Sequence, residues 1–208
     1  FASHAPGAVI NYISKTGKQA GGNFGVTTGL NYKETRLDGD YGDKLAPDLY
    51  YHYGGYYREG EGVRNATPDA LVGYQFKGNV TKEFNGGKGY FRVNFKVLNE
   101  HAPGSPQTYL NASRNGNTIG SFSVSPGYDG SRDSASSKYN STVISIDPAT
   151  RGLSSSSLLD GITSNSKSIG AEFHNEVSNG FTVDNKFRLS SNAGAFQVQF
   201  WNVRTMAN

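Results

Sequence analysis

The chain has 208 residues, with 27 glycines, 13 tyrosines and 12 phenylalanines against one methionine, one tryptophan and no cysteine. The lack of cysteine excludes disulfide frameworks, thiol nucleophiles and cysteine-ligated zinc. A net charge of +3, with its basic residues scattered and no nucleic-acid motif, describes an ordinary solvated surface. No stretch approaches the roughly 20 consecutive apolar residues of a membrane helix, so only a β-barrel could carry this chain across a membrane. In a barrel every second residue faces lipid, so the mean hydropathy of −0.56 does not exclude it.

The N-terminus, Phe1-Ala-Ser-His-Ala-Pro6, lacks a basic start followed by an apolar core, which is not the pattern of a signal peptide. The expectation is that such a segment was removed or that the chain starts inside a longer protein. Residues 8–14 form a β-branched and aromatic run between Gly7 and Gly17, predicting a short buried strand. From Phe24 the alternation becomes regular, with Phe24, Val26, Thr28, Leu30 and Tyr32 on one face. The next strand sets Glu34, Arg36, Asp38 and Asp40 against Thr35, Leu37, Gly39 and Tyr41, which gives it a strongly charged face. In Leu49 to Tyr57 aromatics occupy both faces, as where a strand crosses an interfacial aromatic girdle or is buried on both sides of a sandwich.

The strand at 71–84 places Val72, Tyr74, Phe76, Val80 and Phe84 opposite Gln75, Lys77, Asn79, Thr81 and Glu83. Asn85-Gly86-Gly87 predicts a tight hairpin, because adjacent glycines accept the positive φ it needs. The return strand alternates Phe91, Val93, Phe95 and Val97 with Arg92, Asn94 and Lys96. Residues 99–166 lack sustained periodicity and are rich in Ser, Asn, Gly and Pro, with short helical turns expected at Asp147-Pro-Ala and Ser154 to Leu159. A structureless loop of that length inside a compact domain signals a functional segment. Alternation resumes with Ile169, Ala171 and Phe173 against Glu172, His174 and Glu176. It turns at 178–180 and returns through Phe181, Val183, Phe187 and Leu189, which alternate with Thr182, Asp184, Lys186 and Arg188. Phe196, Val198 and Phe200 read as a further strand or as loop. The expectation is an all-β, antiparallel fold of seven strands after the N-terminal segment, with short turns on one edge and long loops on the other. That asymmetry, with a wet and a greasy face, is what an outer-membrane barrel requires.

Several segments carry a family resemblance. Pro6-Gly-Ala-Val-Ile-Asn-Tyr-Ile-Ser-Lys-Thr-Gly17 resembles the run that closes the plug domain of TonB-dependent outer-membrane receptors and leads into their barrel. Gly22 to Tyr32 looks like that family's first barrel strand, and Leu49 to Gly60, continuing to Arg64, is similar to its third strand with a Tyr-Tyr-Arg exit. Val80 to Phe84 and Asn185 to Arg188 also resemble family segments. The likeness covers about 5–100 and 165–195.

The resemblance implies an antiparallel transmembrane β-barrel portion, about seven strands of a barrel of roughly 22. Residues 1–21 would end a plug domain, and 22–208 would be the N-terminal part of the barrel, with a long extracellular loop at about 99–166. Neither a TonB box nor most of a plug precedes residue 5, so it implies an internal fragment. The implied function is energy-coupled uptake of a bulky nutrient of the siderophore, cobalamin or oligosaccharide class. The implied location is the outer membrane, and the implied partners are its lipid, the TonB energy-transducing complex acting through an absent N-terminal segment, and a small-molecule or oligosaccharide ligand. No nucleic-acid partner, cofactor, metal or enzymatic activity is expected.

On this likeness Glu34, Arg36, Asp38, Asp40, Arg92, Asn94, Lys96, Glu172, His174, Asp184, Lys186 and Arg188 would line the lumen, either solvating it and pairing across strands or contacting ligand. Substrate recognition would fall to the long loop, where Tyr109, Arg114, Phe122, Tyr128, Arg132 and Tyr139 would stack on sugars or grip an anionic chelate. Against chemistry, the four histidines show no metal-ligand spacing, and neither a G-x-S-x-G elbow nor a P-loop occurs. Two other readings stay open: a soluble or surface-attached β-sandwich adhesion module binding glycans through the same tyrosines, and a passive porin.

Overall fold

A computed structural model describes residues 13–64, 70–104, 110–124, 126–133 and 142–197. The chain is all-β and antiparallel. Its principal sheet has seven strands: β1 (Gly21–Thr28), β2 (Lys33–Ala46), β3 (Leu49–Gly62), β4 (Leu71–Phe84), β5 (Gly89–Ala102), β10 (Ile162–Val177) and β11 (Phe181–Phe196). Each strand pairs with the next of this series, in the order β1-β2-β3-β4-β5-β10-β11. The sheet is open, with β1 and β11 at its edges.

The connections follow the expected asymmetry except between β1 and β2, where residues 29–32 are no longer than the 85–88 turn. At one edge β2 passes to β3, β4 to β5 and β10 to β11, through 47–48, 85–88 and 178–180; at the other β1 passes to β2 through 29–32, β3 to β4 and β5 to β10. The β4–β5 turn is tight because Asn85, Gly86 and Gly87 all take positive φ (52°, 64° and 88°), which glycine adopts at little cost. The long connection differs from its expectation. β5 runs to Ala102 and β10 begins at Ile162, so sheet consumes both ends of the 99–166 segment. Within it lie two hairpins, β6 (Leu110–Asn115) with β7 (Thr118–Val124) and β8 (Thr142–Ile146) with β9 (Leu153–Ser157). Residues 154–157, expected as helical turn, belong to β9, with a 3-10 turn only at Leu158–Asp160. A partner strand supplies the backbone ladder whatever the side chains, so a serine run can be strand, and period-2 patterning is weak where neither face is buried.

The N-terminal strand expected at 8–14 falls largely outside the described residues; Ile13 and Ser14 are not in a strand. Phe196 closes β11, while Val198 and Phe200 lie outside the described residues. Among the described residues no second sheet seals the apolar face: Phe91 remains 46% exposed and Phe187 62%. The most buried side chains are instead Thr81 at 2%, Asn79 at 3%, Leu71 at 7% and Tyr50 at 8% on the polar face, with Ala70 at 3% just ahead of β4, which locates what little core the described residues have.

Candidate functional site

The site is the sheet itself, a wall with two chemically opposite faces. On the apolar face the register lines up rows across strands. One runs Tyr41, Tyr53, Gly78, Phe95, Ile169, Leu189. Rings join in a chain along it: Tyr51 stacks on Tyr53 at 6.0 Å, Tyr53 meets Phe76 at 6.1 Å, and Phe76 meets Phe95 at 5.6 Å. A row nearer the long loops runs Val26, Leu37, Tyr57, Tyr74 and then turns polar at Asn99 and Asn165. A row nearer the short turns does the reverse, from Asp43 on β2 to Tyr51, Val80, Val93, Ala171 and Phe187.

The apolar band therefore slants. Its centre descends by about five to seven residues from β1 to β11, roughly 16–23 Å along the strands over roughly 29 Å across six inter-strand steps, a slope of about 30–40°. Strands of membrane barrels tilt by about 35–45° from the barrel axis. A level apolar belt on tilted strands must look slanted in the frame of the strands, whereas a face packed on a second sheet has no such requirement. Tyrosines mark both margins with their hydroxyls turned outward: Tyr41 donates to Asp43 at 3.2 Å on the short-turn side and Tyr57 to Glu59 at 2.8 Å on the other. A ring in an apolar layer with its hydroxyl in a wet one is the arrangement of an interfacial girdle. Of the tyrosines at 49–57, Tyr51, Tyr53 and Tyr57 join this face, while Tyr50 and Tyr56 lie on the other.

The opposite face is a hydrogen-bonded wall of charge. Arg36 grips Asp38 through two nitrogens, at 2.7 and 2.9 Å, and lies 4.0 Å over the Tyr56 ring. Arg58 and Tyr56 both donate to Glu100. Arg92 donates to Thr81 at 2.9 Å and to Glu172 at 3.4 Å, and Asn94 donates to Glu172 at 2.8 Å. His174 meets Asp184 at 2.8 Å and stacks on Tyr90. Every strand-borne polar residue expected on one surface is thus on one surface; the side chains of Glu34, Lys96 and Lys186 share it without a hydrogen-bonded partner among the described residues.

Across this wall runs a strap, residues 13–19, that sequence reasoning placed at the end of a plug without assigning it contacts. Lys15 pairs with Asp40 at 2.8 Å, and Asp40 also meets His52 at 3.0 Å. The Asn79 amide donates to the Lys15 carbonyl at 2.9 Å, which explains the burial of Asn79. Lys18 pairs with Glu83 at 2.9 Å, and that hydrogen bond raises the Lys18 pKa. Gly17, at φ 82°, touches the sheet backbone: a Cβ there would fall 1.9 Å from the Tyr51 carbonyl oxygen. Between strap and wall is a groove of about 850 Å³, lined by Lys15, Lys77, Asn79, Lys96, Glu172 and Arg188 among others.

Of the loop residues expected to bind substrate, the described ones lie on separate segments, Arg114 and Phe122 on the β6–β7 hairpin and Tyr128 and Arg132 within 126–133. Arg114 is spent on its own hairpin turn, donating to the Gly116 carbonyl at 2.6 Å, and Phe122 on β7 is 64% exposed. Tyr128 donates to the Asp133 carbonyl at 3.2 Å. Arg132 reaches the Asn31 carbonyl at 3.2 Å, and Arg64 donates to the carbonyls of Gly130 and Asp133, so residues 126–133 are laced to the two neighbouring connections at that edge. Tyr109 and Tyr139 lie outside the described residues. Among the described residues no cluster of His, Asp and Glu is arranged to hold a metal ion. Compared with known protein families, curated proteins and solved structures, the chain matches none.

Proposed function

We propose that this chain is part of the barrel wall of a TonB-dependent outer-membrane receptor, with the end of its plug, that imports a bulky, scarce nutrient. The observation that carries the reading is the slanted apolar band on one face of a single antiparallel sheet, backed by a hydrogen-bonded charged face. In this reading the band faces lipid, the charged face lines a hydrated lumen, and the connection at 103–161 stands on the outer side, where ligand is captured. The short turns 47–48, 85–88 and 178–180 are periplasmic. The wall moves its cargo without covalent chemistry, the TonB complex supplying the energy that shifts the plug.

The strap favours a stoppered receptor over an open porin. Its ties run from Lys15 to Asp40, from Asn79 to the Lys15 carbonyl and from Lys18 to Glu83, so this segment holds to the wall by several bonds at once. A plug displaced during transport needs such a fixed root.

The chain has no cysteine, so a single introduced one is the only labelling site. Nitroxides placed at Phe95→Cys and Lys96→Cys, adjacent residues on opposite faces, test the reading after folding into lipid vesicles. The expected result is access of oxygen at 95 and of a water-soluble nickel chelate at 96. Folding of the unlabelled chain to a monodisperse monomer without detergent would refute it.

A further inference from the structure

The charged wall is not neutral everywhere. Lys77 on β4 and Lys96 on β5 are directly opposite in register, an arrangement that is destabilising for like charges. Beyond the intervening β10, Lys186 and Arg188 of β11 project onto the same face, and Ser168 and Gly170 of β10 put only a hydroxyl and bare backbone between them and Lys96. Lys77, Lys96 and Lys186 have no hydrogen-bonded or ionic partner among the described residues, and Arg188 reaches only the Ser190 and Ser168 hydroxyls, at 3.0 and 3.5 Å. The nearby carboxylates are already committed. Asp40 holds Lys15 and His52, and Glu172 accepts from Arg92 and Asn94. The groove between strap and wall therefore presents five cations, counting Lys15, against two occupied carboxylates.

We propose that Lys77, Lys96, Lys186 and Arg188 form a cradle for a small molecule bearing clustered anionic oxygens, a phosphoryl or polycarboxylate group. Two ammonium groups held on adjacent strands can converge on one anionic group, and a guanidinium beside them adds the paired donors that suit such oxygens. A groove of about 850 Å³ is of the size that encloses a ligand of several hundred daltons. The repulsion between Lys77 and Lys96 is the feature that an anion relieves and that solvation alone leaves in place. This deepens the receptor reading by naming the chemistry of its cargo, and it requires the charged face to be wet.

The test uses the whole chain in detergent micelles, titrated calorimetrically with pyrophosphate and with tricarballylate at low salt. Binding is expected for at least one probe, weakening as salt rises. The double variant Lys77→Gln/Lys96→Gln is expected to lose about tenfold or more in affinity, while Lys82→Gln on the opposite face stays within about twofold. Because the double variant removes repulsion, it should fold; as an independent readout on the unsubstituted chain, pyrophosphate should protect Lys77 and Lys96, and not Lys82, from amine acylation. Absence of binding by both probes, or unchanged affinity in the double variant, overturns the cradle. The nitroxide at residue 95 reports separately on lipid contact, so a failed cradle with lipid access at 95 leaves the receptor reading standing.

Discussion

The slant of the apolar band can be tested with lysine substitutions at positions that share one row. Leu37 on β2 and Ala193 on β11 are joined through Tyr57, Tyr74, Asn99 and Asn165. If the band were level with the strands, both would lie at one depth. If the band faces lipid, the slope puts Leu37 inside it and Ala193, about eight residues from the band centre on its own strand, roughly 20 Å from the membrane midplane. Leu37→Lys is then expected to cost about 1–3 kcal/mol and Ala193→Lys about 0–1 kcal/mol. Phe95 lies near the band centre on β5, its ring against Gly78 and 5.6 Å from Phe76, so Phe95→Lys is expected to cost about 2–4 kcal/mol. On a sheet exposed to water, the same three changes would fall mostly within about 0.5 kcal/mol of one another. The assay is urea unfolding from lipid vesicles, followed by far-UV circular dichroism. Equal costs at 37 and 193, or a cost at 95 below about 0.5 kcal/mol, would refute the depth assignment.

Three further outcomes are expected. Gly17→Ala should peel the strap from the wall, because its Cβ would collide with the Tyr51 carbonyl and φ 82° disfavours a side chain; trypsin should then cut faster after Lys15 and Lys18 while the circular dichroism of the sheet is unchanged. A double-mutant cycle of Arg92→Met and Glu172→Gln should give a coupling of about 0.5–1 kcal/mol, since the pair is shielded but not sealed, with side chains 17% and 24% exposed; a coupling of zero would mean that the wall charges act only through solvent. The β8–β9 turn should loosen in acid. Hydrogen bonds from the Ala149 amide, the Thr150 side chain and the Thr150 amide hold the Asp147 carboxyl below its ordinary value. A depressed folded-state pKa stabilises the turn above the unfolded value near 4, and that contribution is lost as pH falls through the folded value. Amide exchange at 142–157 should therefore quicken as pH is lowered past about 4, once corrected for intrinsic rates, and Asp147→Asn should flatten that dependence.

Amino-acid order alone determined the strands and their two faces. Alternation is local: each residue of Phe91 to Val97 is assigned to a face by its immediate neighbours, and Asn85-Gly-Gly fixes the hairpin about itself, so that Lys77 opposite Lys96 follows from the turn position. The seven strands, the apolar set and the charged set were legible for that reason. The pairing of β5 with β10 was not, because 59 residues separate them and no local pattern chooses between registers. That choice sets Arg92 against Glu172 and Phe95 against Ile169, and with them the slope of the band. The two hairpins inside 103–161 were also hidden, since exposed strands rich in serine carry no apolar alternation. Nor could the sequence place the strap on Asp40, Asn79 and Glu83, since those contacts form only once β2, β3 and β4 have assembled the surface that receives it. Local periodicity determined what each strand is; long-range register decided where its charges meet.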